Sequence, residues 1–236
     1  RGDEADWQKL ALEAFIDVIS KKRIPIPSNI SGKLLKKIKT ELENESNADS
    51  IISFVLNTLA QPVNDVYERD YIERKTKIAR TMAEELNFEK AEIEKLALAT
   101  MIYDLGNMLM PENILLKPGP LTDEEKKIVL ENPIIAAREI LKPIKSASPI
   151  IAMVQHHHEH WDGTGYPGNL SGDDIPVGSR ILSIINAYFA LTSNRPYRKS
   201  LSHEEAVKKL KDGANTEWDG KLVSLFISIV EKDKSL

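Results

Sequence analysis

Four of the protein's five histidines stand in one short stretch, QHHHEHWDGTGYPG (155–168). Neutral imidazole is the commonest side-chain ligand for transition metals, so a cluster of this kind points first to metal chemistry. His156 and His160 are four residues apart, a spacing that clamps an ion from one face of a helix. The HExxH pattern of zinc proteases is not completed, because Asp162 stands where the second histidine would be. His157 and His158 are adjacent and project about 100° apart on a helix. They share an ion only at a helix end or from a site lying between their directions. The alternative is a set of polar histidines on a solvated helix end.

Two further stretches carry groups suited to anions. RPYRK (195–199) places Arg195 and Arg198 on either side of a short Pro-Tyr pair. Guanidinium groups this close bind phosphate with paired hydrogen bonds. ILLKPGPLT (114–122) presents Lys117 on a loop stiffened by proline. The cluster itself runs into DGTGYP, where Asp162, Gly163, Gly165, Tyr166 and Pro167 form a tight turn.

These groups must be positioned by helices. Apolar residues recur at steps of three and four over 71–87, 91–105, 122–131, 133–142, 148–160, 177–194, 203–212 and 218–231, the period of amphipathic helices. Thr122 with Glu125 and Ser202 with Glu205 read as capping boxes. Helical patterns also run through 7–20 and the segments after RIPIPSNIS, where two prolines interrupt them. Strand-like alternation is nearly absent. The expected fold is all-α, with an N-terminal helical segment over 1–65 and a helical domain over 66–236.

The chain's 236 residues, 42% of them apolar, suffice for a substantial core. With no cysteine, disulfide frameworks, thiolate metal sites and thiol nucleophiles are excluded. A net charge of −4 argues against a general nucleic-acid binder. No apolar run is long enough to span a membrane, and a cytoplasmic location is expected. The chain opens at Arg1-Gly2 without Met, which suggests a piece of a longer protein.

Taken in order, YDLGNMLMPENILLKPGPLTDEE, HHEHWDGTGYPGNLSGDDIPVGSRIL and ALTSNRPYRKSLSHEEA closely resemble the HD-GYP domain, over about residues 71–230. The resemblance implies the HD-type helical bundle. It also implies a phosphodiesterase that opens bacterial cyclic di-GMP with two or three metal ions. Matched residue by residue, the ligand set is incomplete. Asp104, His157 and His158 match metal ligands, and Glu159 follows them. Tyr71, Tyr103, Asn132 and Asn186 stand at four other ligand positions, Asn107 replaces a lysine, and Phe189 replaces a second aspartate. A phenol with its pKa near 10 is a poor ligand for a divalent ion. The two-metal site is therefore expected to be lost, leaving no metal or one weakly held Fe, Mn or Zn ion. Lys117, Arg195, Arg198 and the GYP turn match the family pattern.

The leading expectation is a catalytically degenerate HD-GYP domain serving as a sensor or interaction module in cyclic di-GMP signalling. It would bind cyclic di-GMP, or a GGDEF-type cyclase through the GYP turn. Two alternatives stand beside it: a weak single-metal phosphodiesterase, and a helical scaffold that dimerises without nucleotide. His156 and His160 are expected to be bystanders.

Overall fold

The structure, a computed structural model, describes residues 69–103, 112–115, 117, 119–131, 134, 137, 148–193 and 199–232. The expected N-terminal segment, with its boundary at 65, lies outside the described residues. So do Asp104, Asn107, Asn132, Arg195 and Arg198, as well as the side chain of Tyr71 and most of the helix expected over 133–142.

The described elements are helices: α1 (Arg69–Glu85), α2 (Lys90–Ile102), α3 (Glu112–Leu115), α4 (Asp123–Leu130), α5 (Ser148–Gln155), α6 (Val177–Thr192), α7 (His203–Asp212) and α8 (Gly220–Lys232). A 3₁₀ turn covers Gly172–Asp174. Among the described residues the only β-type pairing is one bridge between Ala214 and Trp218. The expected all-α class is the one observed.

The helices begin where side-chain chemistry favours it. Thr122 and Ser202 each accept a hydrogen bond from the N–H of the glutamate three residues on, and that carboxylate returns to the cap N–H. Two backbone donors without intrahelical partners are thereby satisfied at each start.

α2 is the central element. Leu96 through Ile102 are seven consecutive buried residues, and a helix buried on every side belongs inside a bundle rather than on its surface. It packs against α1, α5 and α6, while α1 also meets α6 and α8. α1 contributes Ile78, Ala79, Met82 and Ala83, and α6 contributes Ile181, Leu182, Ile184 and Ile185. α8 closes the core with Leu222, Val223, Phe226 and Val230.

Two details fix α5 against α6. A Cβ built on Gly178 would lie 2.7 Å from the Met153 sulfur, so glycine permits the close approach of these helices. Beside it, the Ser179 hydroxyl lies 3.2 and 3.0 Å from the carbonyls of Ala152 and Met153. The C-terminal end of α5, where the histidines follow, is thus anchored to α6.

The helix expected over 148–160 ends at Gln155 instead. His156–His158 form a turn, so the one-face spacing of His156 and His160 does not arise. The physical reason is local competition for the backbone. The Nδ1 of His157 reaches back to the Val154 carbonyl at 2.6 Å, satisfying an acceptor at the helix end. Glu159 then engages backbone N–H groups beyond the turn.

Candidate functional site

Glu159 organises the stretch that follows the histidines. It is 2% exposed, and its carboxylate accepts hydrogen bonds from Gly168 N at 2.6 Å and Leu170 N at 3.1 Å. His156 Nδ1 lies 3.0 Å from the same group. One buried carboxylate therefore closes a loop of about ten residues onto its own start. Charge-assisted bonds of this kind are the stronger class.

The turn inside that loop is equally constrained. A Cβ on Gly165 would fall 2.1 Å from the His160 nitrogen and 2.5 Å from Glu159 backbone atoms, so only glycine allows the two backbones to pass. Gly163 has φ of +84°, the region glycine enters without steric cost. Asp162 accepts from the Thr164 N–H at 2.9 Å and its hydroxyl at 2.7 Å. These bonds hold the Asp162 carboxyl below its ordinary pKa. His160 Nδ1 lies 3.0 Å from the Thr164 hydroxyl. His156 and His160 thus both bond within the loop. The Tyr166–Pro167 peptide is cis.

Outside contacts hold the loop in place. Trp161 N donates to the Glu217 carbonyl at 3.2 Å and Asp162 N to the Thr216 carbonyl at 2.9 Å. Arg180 on α6 bonds Asp173 and Asp219, each at 2.9 Å, and its guanidinium lies 5.5 Å from the Trp161 ring centre.

The rings of His157 and His158 pack on each other and on two tyrosines. Their ring centres are 4.0 Å apart. His158 stacks on Tyr166 of the turn at 4.9 Å, while His157 meets the edge of Tyr103 at 5.1 Å. His157 is 2% exposed, and among the described residues its buried Nε2 has no hydrogen-bond partner. Burial lowers its pKa to about 4, against the opposing pull of the Val154 carbonyl, and the nearby charge of Lys75 lowers it further. The ring is therefore neutral at physiological pH. With its Nδ1 proton on Val154, the lone pair resides on Nε2. Burial also pushes the Tyr166 hydroxyl up to about 12, so Tyr166 remains a neutral phenol.

Beyond His157 lies a chain of side chains from three helices. Lys75 of α1 donates through Nζ to the hydroxyl of Tyr103, the residue directly after α2. Tyr103 in turn donates to Asn186 Oδ1 of α6 at 3.3 Å. The Lys75 nitrogen lies 4.8 Å from the Tyr103 ring centre and 5.7 Å from that of Phe189. Arg74 lies over the same Phe189 ring at 5.8 Å.

The structure thus brings together His157, His158, Tyr103 and Asn186, with Phe189 and Tyr166 at the margins. Lys117 sits elsewhere in the bonding pattern: its ammonium pairs with Glu125 at 2.5 Å, at the start of α4. Two residues escaped the sequence reading. Glu159 was noted only as the residue after the histidine pair, yet it closes the loop. Lys75 was not singled out at all. A lysine at 75 shares a helical stripe with Ile78, Ala79 and Met82, which points to its burial but not to its partner.

A divalent ion needs several deprotonated donors converging on one point. Among the described residues no group of three or more His, Asp or Glu side chains is placed to hold one. His157 offers an unpartnered neutral nitrogen, which suits a metal. The ammonium of Lys75, the phenol of Tyr103 and the amide of Asn186 do not. The described side chains therefore fit a two-histidine fragment of a metal site rather than a complete one.

A family model described as HD domain matches residues 55–222. A cyclic di-GMP phosphodiesterase of Vibrio cholerae is 29% identical over 249 residues, spanning 96% of this chain and 50% of that protein. The cyclic di-GMP phosphodiesterase response regulator RpfG of Xanthomonas campestris is 28% identical over 234 residues, covering 89% of this chain and 60% of its own length. A cyclic di-GMP phosphodiesterase of Thermotoga maritima is 30% identical over 178 residues, 74% of this chain and 48% of that one. The chain spans about half the length of these relatives. Among solved structures, Bd1817, a HDG"Y"P protein from Bdellovibrio bacteriovorus, superposes with a TM-score of 0.56 at 19% identity. That match covers 86% of this chain and 70% of the other, and the likeness is one of fold.

Proposed function

The chain belongs to the HD domain family, in its HD-GYP form, and from that premise we propose that it is a catalytically degenerate member. In this reading it acts in the cytoplasm as a regulatory or interaction module of cyclic di-GMP signalling. The observation that carries the reading is the Lys75–Tyr103–Asn186 chain beside His157. A neutral phenol and a neutral amide, both poor ligands for a divalent ion, fill positions where the resemblance expects a histidine and an aspartate. A second support is the intact turn. Glu159, Gly165 and Asp162 hold the GYP loop through buried and backbone bonds, and a fixed loop of this kind suits recognition of a partner such as a GGDEF-type cyclase. The N-terminal residues 1–65 form a separate helical segment in this proposal, and a homodimer is compatible with it.

Arg195 and Arg198 are proposed to bind the ligand's phosphates. Lys117, bonded to Glu125, would have to exchange that carboxylate for phosphate to take part. The test has two arms. Cyclic di-GMP is titrated into the protein, with Arg195→Ala and Arg198→Ala as controls, and hydrolysis is followed in the presence of Mn²⁺ or Fe²⁺. Binding without turnover, lost in the arginine variants, is the expected result. Turnover to the linear dinucleotide or GMP, abolished by Asp104→Ala, would overturn the reading.

That turnover is the outcome expected of the second reading, a weak single-metal phosphodiesterase. It is supported by the Nε2 of neutral His157, which has no partner among the described residues, and by the similarity to cyclic di-GMP phosphodiesterases of Vibrio cholerae and Thermotoga maritima.

A further inference from the structure

A lysine ammonium is a costly group to bury, and it persists in a core only where hydrogen bonds hold it. Lys75 is 3% exposed, on the stripe of α1 that also buries Ile78, Ala79 and Met82. One bond that holds it comes from a position at which the HD-GYP resemblance expects a metal ligand. Its Nζ donates to Tyr103, and Tyr103 is oriented by Asn186 at 3.3 Å. Phe189, where the family pattern has a second aspartate, turns its ring toward the ammonium at 5.7 Å. On the other side of Tyr103 the His157 ring lies 5.1 Å away, followed by His158 at 4.0 Å. A monovalent organic cation therefore sits within two rings of the surviving histidine pair.

Charges of the same sign repel strongly at such distances where water is excluded. A divalent ion on His157 and His158 would face the Lys75 ammonium with only the Tyr103 ring between them. We infer that Lys75 is the resident cation of this pocket, fixed through Tyr103 to Asn186, and that it excludes a divalent metal from the His157–His158 pair. The inference rests on the degenerate reading above and adds its cause. Ligand loss weakens the site, and a built-in charge closes it.

The arrangement differs from simple decay of a metal centre. A site that had only lost ligands would present a polar vacancy, filled by water. Here the replaced positions form a connected set: phenol accepts from ammonium, amide accepts from phenol, and an aromatic face borders the charge. Removing the charge while keeping the length of the side chain should therefore restore metal affinity without rebuilding any ligand.

The experiment is a Mn²⁺ titration of the full chain by calorimetry and by electron paramagnetic resonance, on wild type, Lys75→Met and Lys75→Arg. Met fills the same volume on an apolar stripe, so the fold should hold, as circular dichroism melting will show. Lys75→Gln keeps a donor for Tyr103 and serves the same comparison should Met not fold. The neutral variant is expected to bind Mn²⁺ at least tenfold more tightly than wild type, with Lys75→Arg behaving as wild type. Equal binding by the wild type and the neutral variant, whether tight or undetectable, overturns the inference. Low-micromolar Mn²⁺ affinity in wild type does the same without any variant. The proposed function fails on a different readout, turnover of cyclic di-GMP by wild type, so the two failures are separable.

Discussion

The GYP loop and the pocket around Lys75 meet at His157 and His158, and they are held together by different means. In the loop, backbone groups carry the structure: Gly168 N and Leu170 N end on Glu159, and Trp161 N and Asp162 N end on the 216–217 carbonyls. In the pocket, side chains bond to side chains across α1, α2 and α6. A backbone-built loop keeps its shape while its outward side chains vary, provided Glu159 and Gly165 stay. A side-chain-built pocket can change character one residue at a time, because the helices that carry it are packed independently by Ile78, Leu96 and Ile185. Under the degenerate reading proposed above, the difference explains how one half of a site could keep its family pattern while the other was rewritten.

Acidification should expose the residue the two regions share, and it carries the largest expected effect. His157 has an ordinary pKa of 6.5 and a folded value of about 4. Above 6.5 neither state takes up the proton. As pH falls from 6.5 the unfolded chain does so first, and stability is lost progressively until the folded ring also protonates near 4. The full loss is on the order of 3 kcal/mol. Urea denaturation between pH 8 and 4, with His157→Gln as the reference, measures it. A His157→Gln variant with the same pH slope as wild type would sink the assignment.

Next in size is Glu159→Ala, which strands the loop donors and His156 and should cost about 2.5 kcal/mol. Limited proteolysis should then cut within 160–170, while the Lys75 pocket, held by other bonds, keeps its near-ultraviolet tyrosine signal. Collapse of both regions together would break the distinction drawn here. Gly165→Ala follows at about 2 kcal/mol, since its Cβ must displace the His160 backbone rather than a flexible side chain. A melting curve and loop proteolysis check it. Smallest is Tyr103→Phe, about 1.5 kcal/mol. It removes the acceptor for Lys75 and the donor to Asn186, yet should leave loop proteolysis unchanged.

Much of the helical order was readable because it rests on local rules. The Thr122–Glu125 and Ser202–Glu205 boxes name their own helix starts, and the apolar stripes of α6 and α8 state which faces go inside. The end of α5 was not readable in this way. Apolar and polar spacing continue through His160, but the helix stops at Gln155 because His157 bonds backward and Glu159 bonds forward, and the forward partners are nine and eleven residues away. The site divides similarly. His157, His158, Tyr103 and Asn186 were singled out as ligand positions through family resemblance, and the structure brings them together. Lys75 needed three dimensions, since nothing in α1 alone says that its ammonium will find Tyr103, 28 residues later.

The junction between the loop and the turn after α7 has an optical consequence. Two of the protein's three tryptophans sit on it. Trp161 lies against the Arg180 guanidinium and bonds through its backbone to Glu217, and Trp218 packs its ring on Gly213. Any partner that lifts the loop must part Trp161 from Arg180 and disturb the strand of backbone next to Trp218. Intrinsic fluorescence therefore reports loop engagement directly, with no label attached, and a Trp161→Phe chain identifies which ring carries the signal.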